Sequence, residues 1–365
     1  MSIPPRQLIL VGTYTPKDGA SRGIYASWLD SATGVLAPPA LAAEASNPTF
    51  LALHPNGRVV YALAQLGTIE GKPAGGVTAY GLDRATGRLT LLNQEPTGGI
   101  HLAHLAVDAT GRMLIAVSYH GGYVAAFPLA PDGRLGKCTG RLALEGPLGP
   151  NRARQERSHA HSVTLSPDNR FALVADLGLD RVFCFRLDPA RARLTANDPA
   201  FITSPPGSGP RHSKFSADGR YFYVVNEIDG SISVCAFDAA RGNGTMIQHI
   251  STLPEGFKVT DPDRAAEIRL HPNGRFVYAS NRGAFDSLAT FAIREDGTLQ
   301  LVEIVPSGGG HPRNFALTPD GAWLVCANMD AGNLVVFRVG ATTGRLEQDG
   351  RTDGPPTPVC VLFAG

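Results

Sequence analysis

Leu270-His271-Pro272-Asn273-Gly274 is an apolar position running into a turn. The pattern returns at Leu53-His54-Pro55-Asn56-Gly57, Val107-Asp108-Ala109-Thr110-Gly111, Leu165-Ser166-Pro167-Asp168-Asn169, Phe215-Ser216-Ala217-Asp218-Gly219 and Leu317-Thr318-Pro319-Asp320-Gly321. Asn-Gly and Asp-Gly favour hairpins because both central residues must tolerate positive φ. Successive turns lie 47 to 58 residues apart. Each is followed by a second apolar run, such as Phe222-Tyr223-Val224-Val225 or Phe276-Val277-Tyr278-Ala279, and then a third, such as Ile232-Ser233-Val234-Cys235-Ala236-Phe237. Several units close on a further turn, as at Thr86-Gly87-Arg88-Leu89, Asp132-Gly133-Arg134-Leu135, Asp296-Gly297-Thr298-Leu299 and Thr343-Gly344-Arg345-Leu346. Helical periodicity is sustained nowhere. Units of about four strands, recurring at this spacing, read as propeller blades.

Six units are complete and a seventh is split. Leu8-Ile9-Leu10-Val11-Gly12-Thr13-Tyr14, Gly23-Ile24-Tyr25-Ala26-Ser27-Trp28 and Thr33-Gly34-Val35-Leu36 match the later part of a unit. Pro358-Val359-Cys360-Val361-Leu362-Phe363 matches the missing first strand. The expectation is an all-β, seven-bladed β-propeller with four-stranded blades, one domain over residues 1–365. The N- and C-terminal strands share a blade and close the ring. A large β-sandwich with incidental turns is the competing reading. The composition agrees with either: 42 Gly and 28 Pro in 365 residues exceed the roughly 12% these two residues usually supply, and both are costly inside helices.

The formal charge of +1 leaves no global basic footprint for nucleic acid. No apolar run is long enough to span a membrane as a helix, and residues 1–15 lack the pattern of a secretory signal. Five cysteines, Cys138, Cys184, Cys235, Cys326 and Cys360, include no Cys-x-x-Cys pair, and four sit in strand-like runs. Free thiols in a reducing cytoplasm are expected.

Five polar segments interrupt the apolar pattern near the ends of predicted strands: Arg154-Gln155-Glu156-Arg157-Ser158-His159-Ala160-His161; Gly209-Pro210-Arg211-His212; Val225-Asn226-Glu227; Ala266-Glu267-Ile268-Arg269 with Ser280-Asn281-Arg282; and Gly310-His311-Pro312-Arg313-Asn314. His159 and His161, two apart, should share a face if they lie on a strand. A metal needs about three convergent ligands, and no His-x-His plus carboxylate set is evident. Taken singly, each segment reads as a solvated turn or a satisfied core residue. Together they place His and Arg at equivalent positions, predicting a basic ring around a central cavity suited to an oxygen-rich anion, because guanidinium binds phosphate and carboxylate bidentately.

Other templates fail: there is no Gly-x-Ser-x-Gly elbow, Walker loop or Rossmann fingerprint. The only tryptophans, Trp28 and Trp323, do not recur at blade ends, which weighs against a protein-binding WD-type propeller. With Ser158-His159-Ala160-His161-Ser162-Val163 and Ala175-Asp176-Leu177-Gly178-Leu179-Asp180-Arg181 added to the segments above, the whole chain resembles the bacterial 6-phosphogluconolactonase family of the seven-bladed propeller type, itself similar to fungal carboxymuconate cyclases. It departs from that family's pattern at Ala64-Gln65, Ser118-Tyr119 and Ser158. The resemblance implies a cleft near the central channel, with His159 or His161, Arg211, Glu227 and Arg282 as the reacting set.

The activity this implies is hydrolysis of a sugar-acid lactone, 6-phosphogluconolactone above all. Glu227, His159 or His161 would act as base on water, and Arg211 or Arg282 would stabilise the oxyanion. His212, Arg157, Glu267, Arg313, Asn226 and Asn281 would bind the anionic sugar lactone. No metal, cofactor or covalent intermediate is needed. A cycloisomerase of carboxymuconate-type diacids, a lactonase for a non-phosphorylated aldonolactone, and a non-enzymatic peptide-binding propeller are the alternatives. Oligomeric state is not legible.

Overall fold

The computed structural model describes residues 4–16, 19–257, 259 and 265–364. Among them, 28 strands form seven antiparallel four-stranded sheets. Blade 1 comprises Leu51–Leu53, Val59–Ile69, Lys72–Leu82 and Leu89–Ile100. Blade 2 comprises His104–Val107, Met113–Ser118, Tyr123–Pro128 and Gly140–Ala143. Blade 3 comprises Ala160–Leu165, Phe171–Asp176, Arg181–Asp188 and Arg193–Thr203. Blade 4 comprises Pro210–Phe215, Tyr221–Asn226, Ser231–Asp238 and Asn243–Ser251. Blade 5 comprises Ala265–Leu270, Phe276–Asn281, Ser287–Ile293 and Leu299–Pro306. Blade 6 comprises Pro312–Leu317, Trp323–Asn328, Asn333–Val339 and Leu346–Asp353. Blade 7 takes its first strand, Pro358–Phe363, from the far end of the sequence and adds Arg6–Thr13, Gly23–Asp30 and Ala40–Glu44. The first strand of each blade touches that of the next, all the way round. The molecule is a seven-bladed propeller whose ring closes in the shared blade, as the split repeat requires.

The apolar runs follow from this geometry. A second strand is covered on both faces by neighbouring blades, so Phe276–Asn281 and Trp323–Asn328 are buried throughout. A fourth strand lies at the rim, and Leu346–Asp353 is largely exposed. Cores lie between sheets: Tyr223, Val225 and Val234 of blade 4 pack with Ile268, Val277 and Ala279 of blade 5.

Polar latches join neighbouring blades. Tyr61, Tyr223 and Tyr278 each donate a buried hydroxyl to a turn carbonyl of the following blade, at Gly133 (2.7 Å), Gly297 (3.1 Å) and Gly344 (2.9 Å). The His-Pro-Asn-Gly turns add another latch. His271 Nδ1 accepts the Asn273 N–H, so its Nε2 carries the proton donated to Gly321 O at 3.1 Å. Gly321 has φ +76° and a Cβ there would lie 2.4 Å from the His271 ring, so both conformation and space require glycine.

The feature that positions the site is a repeated bulge. The pairing of first and second strands slips at Ala160/Ser162 in blade 3, Pro210/His212 in blade 4, Ala265/Ile268 in blade 5 and Pro312/Asn314 in blade 6. In blade 7 the slip skips Val359. A bulge inserts an unpaired residue and re-aims its side chain. Consecutive residues can then face one way, which regular alternation forbids.

Candidate active site

A cavity of about 430 Å³ opens where the first strands converge. Two tiers of side chains line it. The bulge tier supplies His161, Arg211 and Arg313, with His212 and Asn314 next in their strands. The second tier stands one residue past the second strands: Tyr119 in blade 2, Glu227 in blade 4 and Arg282 in blade 5. Arg154 reaches in from the connection between blades 2 and 3, where Asn151 and Gln155 close a turn.

Glu227 is the hub. Arg211 Nε lies 2.7 Å and Arg282 Nη2 2.9 Å from its Oε2, while Arg154 pairs with Oε1. Arg211 and Arg282 are anchored in turn on the carbonyls of Ala266 and Ala265. Burial alone would raise the Glu227 pKa. The charges of Arg282, Arg211, His161 and Arg154 outweigh it and hold the carboxyl well below the usual carboxylate range. Glu227 is therefore an anchored anion with little basicity. His161 Nε2 lies 3.9 Å from Oε2 of Glu227. Burial, then Arg211, pushes the His161 pKa well below the ordinary imidazole value, and the same two causes do so for His212. Both rings are neutral at neutral pH.

Of the lining residues, four arginines (Arg154, Arg211, Arg282 and Arg313) face one carboxylate, Glu227. Four against one leaves a surplus of three positive charges. Arg313 stands apart from the Glu227 hub; its Nη2 donates to the Tyr14 hydroxyl at 3.0 Å and its guanidinium lies 5.5 Å from the Tyr14 ring centre. A cavity with this surplus is suited to an anion.

These findings support membership in a specific family. The chain matches the family model for lactonase, 7-bladed beta-propeller, over residues 8–363. The chain belongs to the seven-bladed β-propeller lactonases. It is 35% identical over 354 residues to the 6-phosphogluconolactonase of Bacillus subtilis (strain 168), covering 97% of each chain. It is 32% identical over 345 residues to the 6-phosphogluconolactonase of Formosa agariphila, covering 93% of this chain and 94% of that one. The periplasmic gluconolactonase of Pseudomonas aeruginosa superposes with a TM-score of 0.89 at 34% identity, covering 98% of this chain and 99% of that one. Lactonases are hydrolases that open a lactone ring, and that is the reaction class of this family member.

In this lactonase six expected site residues line the cavity: His161, Arg211, Glu227, Arg282, His212 and Arg313. Five do not. His159 precedes its strand rather than sharing a face with His161, because the strand starts at Ala160 and slips at His161. Its ring stacks on Tyr119 at 4.2 Å, with Nδ1 on the Tyr119 carbonyl and Nε2 on Glu156. Arg157 is half exposed and pairs with Glu156. Asn226 and Asn281 are fully buried fasteners of their own blades: the Asn226 amide donates to Ser231 and Ser233, and that of Asn281 to Ser287 and the Thr252 carbonyl. Glu267 lies behind the cavity wall, against His212 and Asn314.

Sequence reasoning also missed lining residues. Arg154 stood in a quoted segment, but only the folding back of its connection brings it to Glu227. Tyr119 could have been found as the counterpart of Glu227 and Arg282. His101 and His120 come from loops with no repeat signal, and Gln65 from the second strand of blade 1.

Proposed function

We propose that the protein hydrolyses 6-phosphogluconolactone to 6-phosphogluconate, which would place it in the pentose phosphate route of glucose metabolism. The observation carrying this reading is the surplus of arginines around one anchored carboxylate in a cavity sized for a single sugar. Membership among the lactonases supplies the ring-opening chemistry, and the names of the Bacillus and Formosa relatives support the phosphorylated sugar acid.

The geometry supports the following steps. Arg313, outside the Glu227 hub, takes the substrate's phosphate. Arg211 and Arg282, fixed by Glu227, stabilise the oxyanion that forms as water adds to the lactone carbonyl. Glu227 serves to hold them and does not carry the proton, because three guanidiniums occupy its oxygens. A neutral cavity imidazole takes the proton, a role worth about 10²–10⁴-fold. Five free cysteines, four of them buried, support a reducing compartment such as the cytoplasm.

The test is a panel of 6-phosphogluconolactone, gluconolactone and carboxymuconate, with spontaneous ring opening subtracted. The first is expected to turn over fastest. Glu227→Gln and Arg211→Ala are each expected to lower its kcat more than tenfold. Preferred turnover of gluconolactone would move the substrate to the unphosphorylated sugar acid. Cyclisation of carboxymuconate without lactone hydrolysis would overturn the reading.

A further inference from the structure

A second buried carboxylate–imidazole pair borders the cavity, and the hub just described does not use it. His212 Nδ1 lies 3.1 Å from Oε2 of Glu267, a fully buried residue from the neighbouring blade. Glu267 sits in the slip between Ala265 and Ile268, where Ala266 and Glu267 of the first strand stand against the single residue Ser280 of the second. Every other contact of its carboxylate is with a donor. The Ile268 N–H reaches Oε1 at 3.0 Å, Arg269 Nη1 lies 3.1 Å from Oε1, and the Asn314 amide donates to Oε2.

An acceptor surrounded this way fixes the proton of its imidazole partner. A carboxylate offers only lone pairs, so the proton between Glu267 and His212 belongs to Nδ1. Nε2 then carries the ring's lone pair. It makes no hydrogen bond among the described residues, and the ring lines the cavity. His161, the other candidate base, contrasts with it. Its Nδ1 is buried without a partner among the described residues and its Nε2 is 3.9 Å from the Glu227 carboxylate, so none of them fixes its tautomer at hydrogen-bond distance.

We propose that His212 is the catalytic proton-transfer residue of the lactone reaction and that Glu267 is its positioning residue. This rests on the lactonase reading above. Water attacks the lactone carbonyl carbon, its oxygen forms the new C–O bond, and one proton passes to Nε2. The resulting imidazolium is stabilised by Glu267 through Nδ1–H. When the tetrahedral intermediate collapses, the bond from the carbonyl carbon to the ring oxygen breaks. That oxygen receives the proton from Nε2. The products are the open-chain hydroxy acid and a regenerated neutral imidazole. The pairing of base and buried carboxylate follows the logic by which an acidic residue orients a catalytic histidine elsewhere.

Two measurements test the assignment. In the first, a long-range ¹⁵N–¹H imidazole spectrum of the wild-type protein, assigned with His212→Gln, needs no substrate. The Nδ1–H tautomer is expected, and an Nε2–H tautomer would overturn the proposal. In the second, kinetics are followed on the best lactone of the panel. His212→Ala is expected to lose at least 100-fold in kcat with KM within threefold, and added imidazole to restore part of it above the buffer-catalysed rate. Glu267→Gln is expected to lose at least tenfold in kcat with KM unchanged. Activity of His212→Ala within threefold of wild type would overturn this assignment while leaving the lactonase reading intact. A wild type inactive on every lactone would overturn that reading and this assignment with it.

Discussion

Replacing Glu227 by glutamine removes one negative charge from between three guanidiniums and changes almost nothing in volume. Arg211 and Arg282 are each 2% exposed, so water compensates little for the lost partner. Breaking a buried ion pair from one side costs about 3–5 kcal/mol. A chain of 365 residues unfolds with an entropy of about 0.8 kcal/mol per kelvin. The expected fall in melting temperature is therefore about 4–6 °C, read by calorimetry at pH 7.5. The pH dependence follows from the depressed folded pKa of Glu227. Its stabilising effect is complete above the ordinary carboxylate pKa, about 4.3, and is lost only as pH falls through the lower folded value. The gap between wild type and variant should stay constant from pH 8 to pH 6 and close only in acid. The variant cavity also has no lining carboxylate, so inorganic phosphate should raise its melting temperature more than that of the wild type. A loss below 1 °C, or a gap that narrows between pH 8 and 6, would refute the hub.

Three further outcomes are expected. Arg313→Ala should lower kcat/KM for a phosphorylated lactone by about 10- to 150-fold, the worth of a charge-assisted hydrogen bond, and leave an unphosphorylated lactone within threefold; equal losses on both would remove Arg313 from the phosphate. Tyr278→Phe deletes the latch to Gly344 and leaves that carbonyl unpaired, so thermal or denaturant unfolding should show a loss of about 1–2 kcal/mol. Stability should fall as pH drops from about 7 to below about 6.5, because burial holds His104, His161 and His212 neutral in the folded state while the unfolded chain binds their protons; a melting temperature unchanged from pH 7.5 to 5.5 would contradict this.

The blades were legible because their turns demand special residues. An Asn-Gly or Asp-Gly after an apolar strand has few other readings, and a chain that begins mid-repeat and ends on a first strand can satisfy its edges only by pairing the two. Arg211, His212 and Arg313 were legible for a related reason: charge at the start of a buried strand needs a compensating partner or a cavity. Asn226 and Asn281 carried the same mark and a different meaning. Asp176, Asn226, Asn281 and Asn328 all end second strands and are all fully buried. Asp176 accepts from the backbone of His159, Gly178 and Leu179, and Asn328 donates to Asn333 and the Ser307 carbonyl. At the ends of the second strands a polar residue repeated in blade after blade fastens each blade, whereas a charge just past them that breaks the repeat faces the cavity. Glu227 and Arg282 break it, standing where blade 3 has Leu177 and blade 6 has Met329. The bulge was not legible, since a one-residue slip leaves no mark on composition. It is the slip that separates His159 from His161 and turns Arg211 and His212 to the same side.

The closing strand ties the cavity to the seam of the ring. Val359 lines the cavity and lies in Pro358–Phe363, the strand that closes the ring. Tyr14, beside Arg313, comes from just beyond the first strand of the chain. Unless Pro358–Phe363 sits between blades 6 and 1, these two distant stretches of sequence stay apart and the cavity lacks a wall. The seam of the ring and the cavity therefore stand or fall together: opening the one opens the other.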